Sequence, residues 1–581
     1  MNGGNSMGYQ ENYQQWLQDF SNDESTYSEL VAIKDDVKEI EDRFYKNLSF
    51  GTAGMRGVLG AGMNRMNRYT VKRATQGLSN YLLNQENAPQ RGVVIAYDSR
   101  RFSEQFAMDT ALVFCANGIK TYLFDALRPV ALLSFGIRHL DAAAGIVITA
   151  SHNPPQYNGY KVYGDDGAQL GPEVASAVTD SIEKLGFSDA KIVTEEEAKA
   201  SGLLHIIGNA EVDDEYIRRV KTLSINPDVV REVGPELRIV YTPLHGSGNV
   251  PVRRILKEIG ITNVSIVKEQ ENPDPNFSTI KVPNPEEASS FELAMKLADE
   301  VGADAIFGTD PDCDRLGVAY RAKDGTFRLL SGNQIGCLML YYILSSKHKQ
   351  GTLPKNGAVL KSIVSTELAN AICRHFNVAL FDTLTGFKFI GEKIQQFEDD
   401  GSHTFLFGFE ESHGYLSSTF VRDKDGVNAS LLIAEAAAYY RTQGKTLGDV
   451  MQEIYSTFGY YLDYVESTTL PGLDGLKIMA DIMANVRKAP PTKIGDIEVE
   501  RVLDILAGTE TNCTTGEVKK LDYPTSDVLY FAMKGGHFVC VRPSGTEPKI
   551  KLYVNVNAPD EAQANEILTS LTSNARELLK V

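Results

Sequence analysis

The chain has 581 residues, of which 43% are hydrophobic and 23% are charged, and this composition is ordinary for a globular protein. Its length exceeds what a single hydrophobic core supports, so several domains are expected. A formal net charge of −18 argues against broad binding to nucleic acid or to anionic membranes. The sequence contains no long apolar run and starts with polar residues, so neither a membrane span nor a signal peptide is expected.

The cysteine pattern indicates the redox environment of the protein. Six cysteines are scattered along the chain and form no C-x-x-C pair. This pattern fits a reducing cytoplasm better than a disulfide framework or a zinc site. We therefore expect a cytoplasmic protein.

Strand-like and helix-like segments alternate over most of the chain. Residues 36–46 and 195–199 are predicted to be charged helical or linking segments, and strand-like runs occur at 92–97, 237–241 and 357–360. Alternation from about residue 50 to 440 predicts mainly parallel sheets flanked by helices. From about residue 460 such units are fewer, and a smaller α+β domain that ends in a helix at 560–579 is expected.

The first chemically informative loop follows the apolar run 144–148, which is typical of a buried strand. The loop reads Thr-Ala-Ser-His-Asn-Pro-Pro-Gln over residues 149–156 and places Ser151 where a central strand ends, the edge at which open α/β sheets bind ligands. The residue before a proline avoids helical geometry, so we expect Ser151 on a rigid, exposed loop. A turn serine that bonds its own backbone is the structural alternative.

The second loop is acidic and follows the strand-like run 303–308. Asp310, Asp312 and Asp314 alternate, so their carboxylates can converge on one side of an extended segment. Oxygen ligands favour Mg²⁺ or Ca²⁺. An EF-hand is excluded because its sixth and twelfth positions are Arg315 and Arg321 rather than glycine and glutamate. The alternative is a solvated acidic turn.

The third loop follows the run 404–408 and contains Glu410 and Ser412. These side chains offer acceptors and a hydroxyl without positive charge, which suits sugar hydroxyls better than phosphate. Thr385 and Gly386 lie in a second loop of the same region, where Thr385 adds another hydroxyl. Each feature alone is also compatible with an ordinary surface.

The fourth loop follows the run 537–541 and contains Arg542, Ser544, Gly545 and Thr546. Arginine presents a planar fork of donors that matches phosphate, the two hydroxyls add further donors, and glycine lets backbone N–H groups approach an anion. The loop therefore predicts a phosphate clamp. A basic turn on an acidic protein is the alternative.

Other motifs do not match. Residues 386–393 resemble a phosphate-binding P-loop, but Glu392 occupies the lysine position, and Ser151 lacks the G-x-S-x-G context of a hydrolase. A hydrolase assembled from distant residues stays an alternative. The four loops together favour metal-assisted phosphoryl transfer between a serine and a sugar phosphate, because this reaction uses all of them.

The four loops match, in order, the signature loops of the α-D-phosphohexomutases. The matching segments are 149–154, 310–315, 408–412 and 542–546, and the resemblance extends from about Phe50 to the end of the chain. The segment 50–56 and the length make the chain most similar to the long bacterial α-phosphoglucomutases. The resemblance implies four domains around a central cleft: three related α/β domains with mixed sheets at 1–212, 213–325 and 326–455, and a smaller C-terminal α+β domain at 456–581.

The resemblance also implies an enzyme that is active when Ser151 is phosphorylated. Phosphoserine would convert glucose 1-phosphate into glucose 1,6-bisphosphate, which would turn over in the cleft and return its other phosphate to Ser151, leaving glucose 6-phosphate. An oxygen of phosphorylated Ser151 would join Asp310, Asp312 and Asp314 in binding Mg²⁺. The resemblance implies that Arg56 and His152 orient the reacting phosphate, that Lys161 acts as acid or base, and that Arg315 supports the metal loop. The implied sugar contacts are Thr385, Gly386, Glu410, Ser412 and Lys424. The implied contacts to the second phosphate are Arg542, Ser544, Gly545 and Thr546.

The substrate is less specifically indicated than the family. Phosphomannomutases often carry histidine at positions that Phe387 and Gly414 occupy here, which disfavours mannose. Phosphopentomutases and glucose-1,6-bisphosphate synthases share the acidic loop, so both stay open. A non-catalytic binder of sugar phosphates is a further alternative, although it would not need a nucleophile and metal ligands together. The expected partners are small sugar phosphates, with no nucleic acid or membrane, and the sequence indicates no particular protein partner.

Overall fold

The structure is a computed structural model that describes residues 8–470, 473–543 and 549–580. The chain divides into two compact units. The first contains the residues up to Leu330 together with Ile390–Gly401 and His413–Gln443. The second contains Ser331–Phe389, Ser402–Ser412 and the residues from Gly444 onward. The two units are described separately below.

The first unit begins with three helices and a six-stranded sheet. Its elements up to residue 207 are α1 (Tyr9–Asp19), α2 (Glu24–Ala32), α3 (Val37–Phe44), β1 (Met55–Val58), α4 (Arg68–Leu82), α5 (Ala88–Arg91), β2 (Val93–Tyr97), α6 (Ser103–Ala116), β3 (Thr121–Phe124), α7 (Val130–His139), β4 (Ala144–Ile148), β5 (Tyr157–Tyr163), α8 (Pro172–Glu183), α9 (Glu195–Ala200) and β6 (Leu204–Ile207). The charged segment 36–46 forms α3, as expected. Trp16 of α1 packs edge-on against Phe44 of α3. It also makes edge-on contacts with Tyr69 of α4 and with Phe187, which attach the N-terminal helices to the remainder of the first unit.

The six strands are ordered β1-β5-β4-β2-β3-β6. The strands β4, β2, β3 and β6 are parallel, and β5 and β1 are antiparallel additions at one side. Every residue of β2 and β4 is buried, which explains why both strands read as continuous apolar runs. The loop with Ser151 therefore leaves the carboxyl end of a central strand.

A second sheet completes most of the first unit. A π-helical turn at Asn209–Asp213 leads into α10 (Asp214–Lys221), α11 (Pro227–Val233), β7 (Ile239–Thr242), α12 (Asn249–Ile259), β8 (Val264–Ile266), α13 (Lys268–Glu271), α14 (Glu292–Val301), β9 (Ala305–Thr309), β10 (Leu316–Arg321) and β11 (Phe327–Leu329). The order is β11-β10-β9-β7-β8, with β9, β7 and β8 parallel. The acidic loop leaves the carboxyl end of β9, the middle strand of this sheet.

The next segment supplies elements to both units. It forms α15 (Gly332–Gln350), β12 (Gly357–Ser362), α16 (Leu368–Phe376), β13 (Ala379–Thr383), α17 (Phe387–Asp400), β14 (Thr404–Glu410), β15 (Gly414–Leu416), α18 (Gly426–Arg441) and α19 (Leu447–Phe458). In the second unit, β12 pairs in parallel with β13 and β14. Helix α18 belongs to the first unit, where it packs against α11 and α12.

The C-terminal part of the second unit is an antiparallel sheet with two helices. Its elements are β16 (Tyr460–Thr469), α20 (Leu473–Lys488), β17 (Lys493–Ile494), β18 (Ile497–Asp504), β19 (Thr509–Asn512), β20 (Val518–Lys520), β21 (Leu529–Met533), β22 (His537–Pro543), β23 (Lys549–Ala558) and α21 (Glu561–Ala575). The main order is β16-β23-β22-β21-β18-β19-β20. The predicted α/β organisation with a smaller C-terminal α+β domain is confirmed.

Candidate active site

The polar backbone and side-chain groups of Ser151 are engaged by hydrogen bonds. Its N–H donates to Thr149 Oγ1 at 2.8 Å, and its hydroxyl donates to Asp310 Oδ2 at 2.8 Å. Ser151 has a left-handed backbone (φ 52°), which costs a non-glycine residue about 1–2 kcal/mol. The expectation of an exposed side chain is wrong, since Ser151 is only 3% exposed, because the acidic loop lies directly against its hydroxyl.

The acidic loop converges as the alternation predicts. Asp310, Asp312 and Asp314 are buried, and one carboxylate oxygen of each lies within 4.8 Å of the others. Asp310 Oδ1 also accepts the backbone N–H groups of Asp314 at 3.1 Å and Arg315 at 3.0 Å. The loop is thus folded around the Asp310 carboxylate, which excludes the solvated acidic turn.

Two lysines neutralise part of this charge. Lys161 Nζ, from β5, lies 2.9 Å from Asp312 Oδ2 and 3.8 Å from Asp314 Oδ2. Lys424 Nζ lies 3.0 Å from Asp314 Oδ2 and 2.9 Å from Asp423 Oδ1. Both ammonium groups therefore lie at the edge of the carboxylate cluster, in the same unit as Ser151.

Asp310 and Asp312 do not ionise equally. Burial raises the pKa of Asp310 well above its usual range, and the neighbouring Asp312 and Asp314 raise it further. Burial opposes ionisation of Asp312 as well, but the Lys161 ammonium and other donors lower its pKa below the ordinary value. Like charges held this closely indicate a site that is stabilised by a cation.

The residues present fit a hard divalent cation. Asp312 Oδ1 and Asp314 Oδ1 are buried and accept no hydrogen bond, although buried polar atoms normally have partners. All three groups offer oxygen, which Mg²⁺ and Ca²⁺ prefer. The carboxylate triad can therefore hold a metal ion.

The sugar-loop residues lie in the second unit. Glu410, the last residue of β14, accepts the backbone N–H of Gly386 at 2.7 Å, so the two predicted segments meet. Gly386 has φ +121°, a conformation that requires glycine. Thr385 Oγ1 is buried and neither accepts nor donates a hydrogen bond. Ser412 is half-buried.

Arg542 lies at the end of β22 in the same unit. Its Nε donates to the Tyr553 hydroxyl at 3.3 Å. Burial acts to lower the pKa of Arg542, but Tyr553 and the carboxylate of Glu411 together raise it, so the guanidinium stays charged. Ser544, Gly545 and Thr546 lie outside the described residues.

Comparison with known proteins decides the family. Models of the phosphoglucomutase/phosphomannomutase α/β/α domains I, II and III match residues 47–189, 214–324 and 331–458, and the model of the C-terminal domain matches 483–572. A phosphoglucomutase of Staphylococcus aureus is 39% identical over 524 residues, which cover 90% of this chain and 92% of the relative. The chain belongs to the phosphoglucomutase/phosphomannomutase family. As a member, it is an isomerase that works by phosphoryl transfer.

Solved structures share the fold. Parafusin from Paramecium, a phosphoglucomutase in its open form, superposes with a TM-score of 0.69 at 18% identity, over 92% of this chain and 95% of that one. A phosphoglucomutase/phosphomannomutase family protein of Burkholderia thailandensis gives 0.63 at 17% identity, over 91% and 96%. Among the described residues of this family member, we find no helix that is both long and apolar enough to cross a membrane.

The remaining predicted residues of the phosphoglucomutase/phosphomannomutase motifs in the first unit surround Ser151. His152 Nδ1 lies 3.3 Å from Ser151 Oγ, and burial with the nearby arginines lowers the pKa of His152 well below its usual value, so this imidazole is neutral. Arg56 Nη1 lies 3.4 Å from Asn153 Oδ1, and Arg315 forms an ion pair with Glu286.

The sequence analysis missed Asp98 and Arg100. Both side chains are fully buried and form an ion pair with Arg100 Nε 3.2 Å from Asp98 Oδ2. Arg100 donates to three carbonyl groups of the Ser151 loop and to the carbonyl of Tyr157, the first residue of β5. The signal was available, because Asp98 and Arg100 follow the buried strand β2 in the same way as the four recognised loops follow their strands.

Gly246 and Ser247 also have a role that the sequence analysis did not assign. A Cβ at Gly246 would lie 2.5 Å from the Cα of Pro311, so only glycine allows the two loops to approach. Ser247 donates to the Pro311 carbonyl from its N–H at 2.8 Å and from its hydroxyl at 2.9 Å. Gly246 and Ser247 therefore support the acidic loop.

Proposed function

We propose that this protein interconverts α-D-glucose 1-phosphate and glucose 6-phosphate through a phosphorylated Ser151 and a glucose 1,6-bisphosphate intermediate. The observation that carries the proposal is the Ser151 hydroxyl, 2.8 Å from Asp310 in a buried carboxylate triad that can hold a cation. A simple binder does not need this combination. The relatives at 38–39% identity are named phosphoglucomutase, which favours glucose over mannose or pentose.

The metal we propose is Mg²⁺, held by Asp310, Asp312, Asp314 and an oxygen of phosphorylated Ser151. When bound, it would neutralise charge on the phosphoryl group and so favour transfer. The residues around it hold the other groups in place. Arg56 and neutral His152 orient the phosphoryl group, and Arg315 supports the acidic loop through the backbone contact to Asp310.

Lys161 is the candidate acid or base. In each half-reaction the P–O bond to one oxygen breaks as the bond to the other forms, between Ser151 Oγ and a sugar hydroxyl. The hydroxyl proton moves in the opposite direction, from the attacking oxygen to the leaving one. Lys161 lies beside the carboxylate triad with its ammonium 2.9 Å from Asp312, where it can give a proton to the leaving oxygen and take one back from the attacking hydroxyl.

The proposed substrate contacts are those that the family motifs imply. Glu410 and Ser412, with Thr385 and Gly386, would bind sugar hydroxyls, and Lys424 would add a further contact. The non-reacting phosphate would be bound by Arg542, Ser544, Gly545 and Thr546. Because the intermediate must present either phosphate to Ser151, the phosphate clamp must accept either phosphate and the sugar contacts must serve both orientations of the sugar.

We also propose the four domain ranges 1–212, 213–325, 326–455 and 456–581, and a cytoplasmic location. Sugar phosphates are the proposed small-molecule partners. The scattered cysteines, five of which are buried and free, support a reducing compartment.

The deciding experiment is the rate of glucose 6-phosphate formation from glucose 1-phosphate, with Mg²⁺ and a trace of glucose 1,6-bisphosphate. Mannose 1-phosphate and ribose 1-phosphate are compared in parallel. Fastest turnover with glucose supports the proposal. Turnover of ribose 1-phosphate alone would assign the protein to the phosphopentomutases. Inactivity on all three substrates would contradict the proposed reaction.

A further inference from the structure

Two separate restraints on Ser151 converge on one buried ion pair. The Ser151 N–H donates to Thr149 Oγ1, and the Thr149 hydroxyl donates to Asp98 Oδ2 at 2.7 Å. The Ser151 carbonyl accepts from Arg100 Nη2. Asp98 and Arg100 are paired with each other. The backbone of the nucleophile is therefore held on both sides by the same two residues.

Arg100 also determines the path of the rest of the loop. Its guanidinium donates to the carbonyls of Asn153, Pro154 and Tyr157, the last two at 3.0 and 3.1 Å. The segment from Ser151 to Gln156 lies in no helix or strand, so it has no ladder of backbone hydrogen bonds to define it. The planar guanidinium of Arg100 replaces that ladder with a single fork of donors. The ammonium group of a lysine cannot do so, because it lacks this planar arrangement of donors.

A residue from the other sheet region of the unit covers this guanidinium. Phe277 is fully buried, and the centre of its ring lies 5.1 Å from Arg100 Cζ. Next to this contact, Arg101 Nε donates to Asn276 Oδ1 at 2.7 Å. The Ser151 loop and the 274–278 segment are thus connected through Arg100.

We infer that Asp98 and Arg100 are positioning residues that hold Ser151 in its reactive geometry in both its free and its phosphorylated forms. The restraints act on the backbone of Ser151 and leave its oxygen free to change partner. Neither residue bonds the Ser151 hydroxyl, so neither should favour one direction of transfer. This inference rests on the proposed function, because it concerns the rate at which Ser151 accepts and donates a phosphoryl group.

The main test is Arg100→Lys, which keeps the charge and loses the fork. We expect kcat to fall about 100-fold, since a misplacement near 1 Å can cost that factor, while KM for glucose 1-phosphate changes less than about threefold. Quench-flow measurement should show both half-reactions slowed by the same factor. These are phosphorylation of the dephosphoenzyme by glucose 1,6-bisphosphate and transfer from the phosphoenzyme to glucose 1-phosphate.

A matched control separates positioning from stability. Arg73 is also buried, donates to the Leu185 carbonyl at 2.8 Å and lies over the Phe187 ring at 4.6 Å, but it does not contact the Ser151 loop. Arg73→Lys should lower the thermal midpoint without changing kcat more than about twofold. An equal loss of kcat in both variants would overturn the inference.

Two milder variants keep the test decisive if Arg100→Lys does not fold. Thr149→Val removes one hydroxyl from the Ser151–Asp98 path, and Phe277→Leu removes the ring over Arg100. Each should lower kcat about tenfold with little change in KM. The inference is overturned if Arg100→Lys folds and has a normal kcat. It is also overturned if Thr149→Val and Phe277→Leu both fold and both have a normal kcat, or if only one half-reaction is slowed. If the unmodified protein takes up no phosphoryl group from glucose 1,6-bisphosphate, the proposed function fails first, and the inference with it.

Discussion

At the scale of single residues, Ser151 shows how this site is prepared for chemistry. Its left-handed backbone is unfavourable by itself, and it persists because the Thr149 hydroxyl, Asp310 and Arg100 each bind one of its polar groups. Strain of this kind is typical of functional positions. The serine hydroxyl is therefore oriented before any substrate arrives.

Replacement of Ser151 should remove the reaction and leave the fold intact. We expect Ser151→Ala to lower kcat by at least about 1,000-fold, because the variant lacks the hydroxyl that is proposed to carry the phosphoryl group. Intact-mass analysis after incubation with glucose 1,6-bisphosphate should show one added phosphoryl group on the unmodified protein and none on the variant. Ser176→Ala, at an exposed position of α8, is the control. More than trace turnover by Ser151→Ala would refute the phosphoserine mechanism.

Asp312→Asn tests the proposed metal site. An amide is a weaker ligand than a carboxylate and leaves Lys161 without its closest partner, so the Mg²⁺ concentration for half-maximal activity should rise at least about tenfold. The measurement is a Mg²⁺ titration of initial rates. Asp299→Asn, at an exposed carboxylate that pairs with Arg321, should give the normal curve. An unchanged titration for Asp312→Asn would remove this residue from the site.

At the scale of secondary structure, the site is built from strand ends and one helix start. Strands β4 and β9 end at the Ser151 loop and the acidic loop. Helix α18 starts beside them, where the N–H of Gly426 donates to the Cys313 carbonyl at 3.0 Å. Asp425 caps this helix by accepting from the N–H groups of Val427 and Asn428. Lys424 is thus fixed by its position directly before a capped helix.

The Asp425 cap should make stability depend on pH in a specific direction. Burial raises the pKa of Asp425 to about 6, above the value near 3.9 of an unfolded aspartate. The folded chain therefore keeps a proton that the unfolded chain has lost between about pH 4 and 6, and the contribution of this group to stability falls as the pH rises through that window, by up to about 3 kcal/mol.

Asp425→Asn should abolish this dependence, since asparagine caps helices well and does not titrate. The measurement is scanning calorimetry of both proteins. The thermal midpoint of the variant minus that of the unmodified protein should be larger at pH 7 than at pH 4.5. Asp560→Asn, at the half-buried cap of α21, controls for the change of side chain. A difference in midpoint that is the same at every pH would contradict the pKa assignment.

At the scale of the whole molecule, a protein of net charge −18 is proposed to bind doubly charged sugar phosphates. It can do so because cations are concentrated at a few positions, such as Lys161 and Lys424 beside the carboxylates and Arg542 at the end of β22. The overall field does not favour the ligand, so local charges must. Binding should therefore order the segments that carry those cations.

Hydrogen exchange can test this ordering. With saturating glucose 1-phosphate and Mg²⁺, amides in 537–543 and 549–558 should exchange more slowly than in the free protein, because the loop between β22 and β23 is proposed to bind the non-reacting phosphate. Peptides from α21 provide the internal control. Equal protection with and without ligand would argue against binding of the non-reacting phosphate by the Arg542 loop.

Much of this molecule was predictable from local sequence. Short strand-like runs predicted the buried strands β4, β9, β14 and β22, and the spacing of Asp310, Asp312 and Asp314 predicted their convergence. These features depend on the few residues around each position. The motifs were specific enough to indicate the family before any fold was known, since four of them occur in one order.

The tertiary structure decided which distant residues act together. Lys161 meets Asp312 across 151 positions of sequence, and Arg100 reaches Ser151 across 51. Packing also buried Ser151, which local reasoning placed in solvent. It put α18 in the first unit, whereas α15 and α19 belong to the second. Sequence patterns report the local backbone and its burial. Contacts between remote side chains depend on how sheets and loops pack, and no local pattern contains that information.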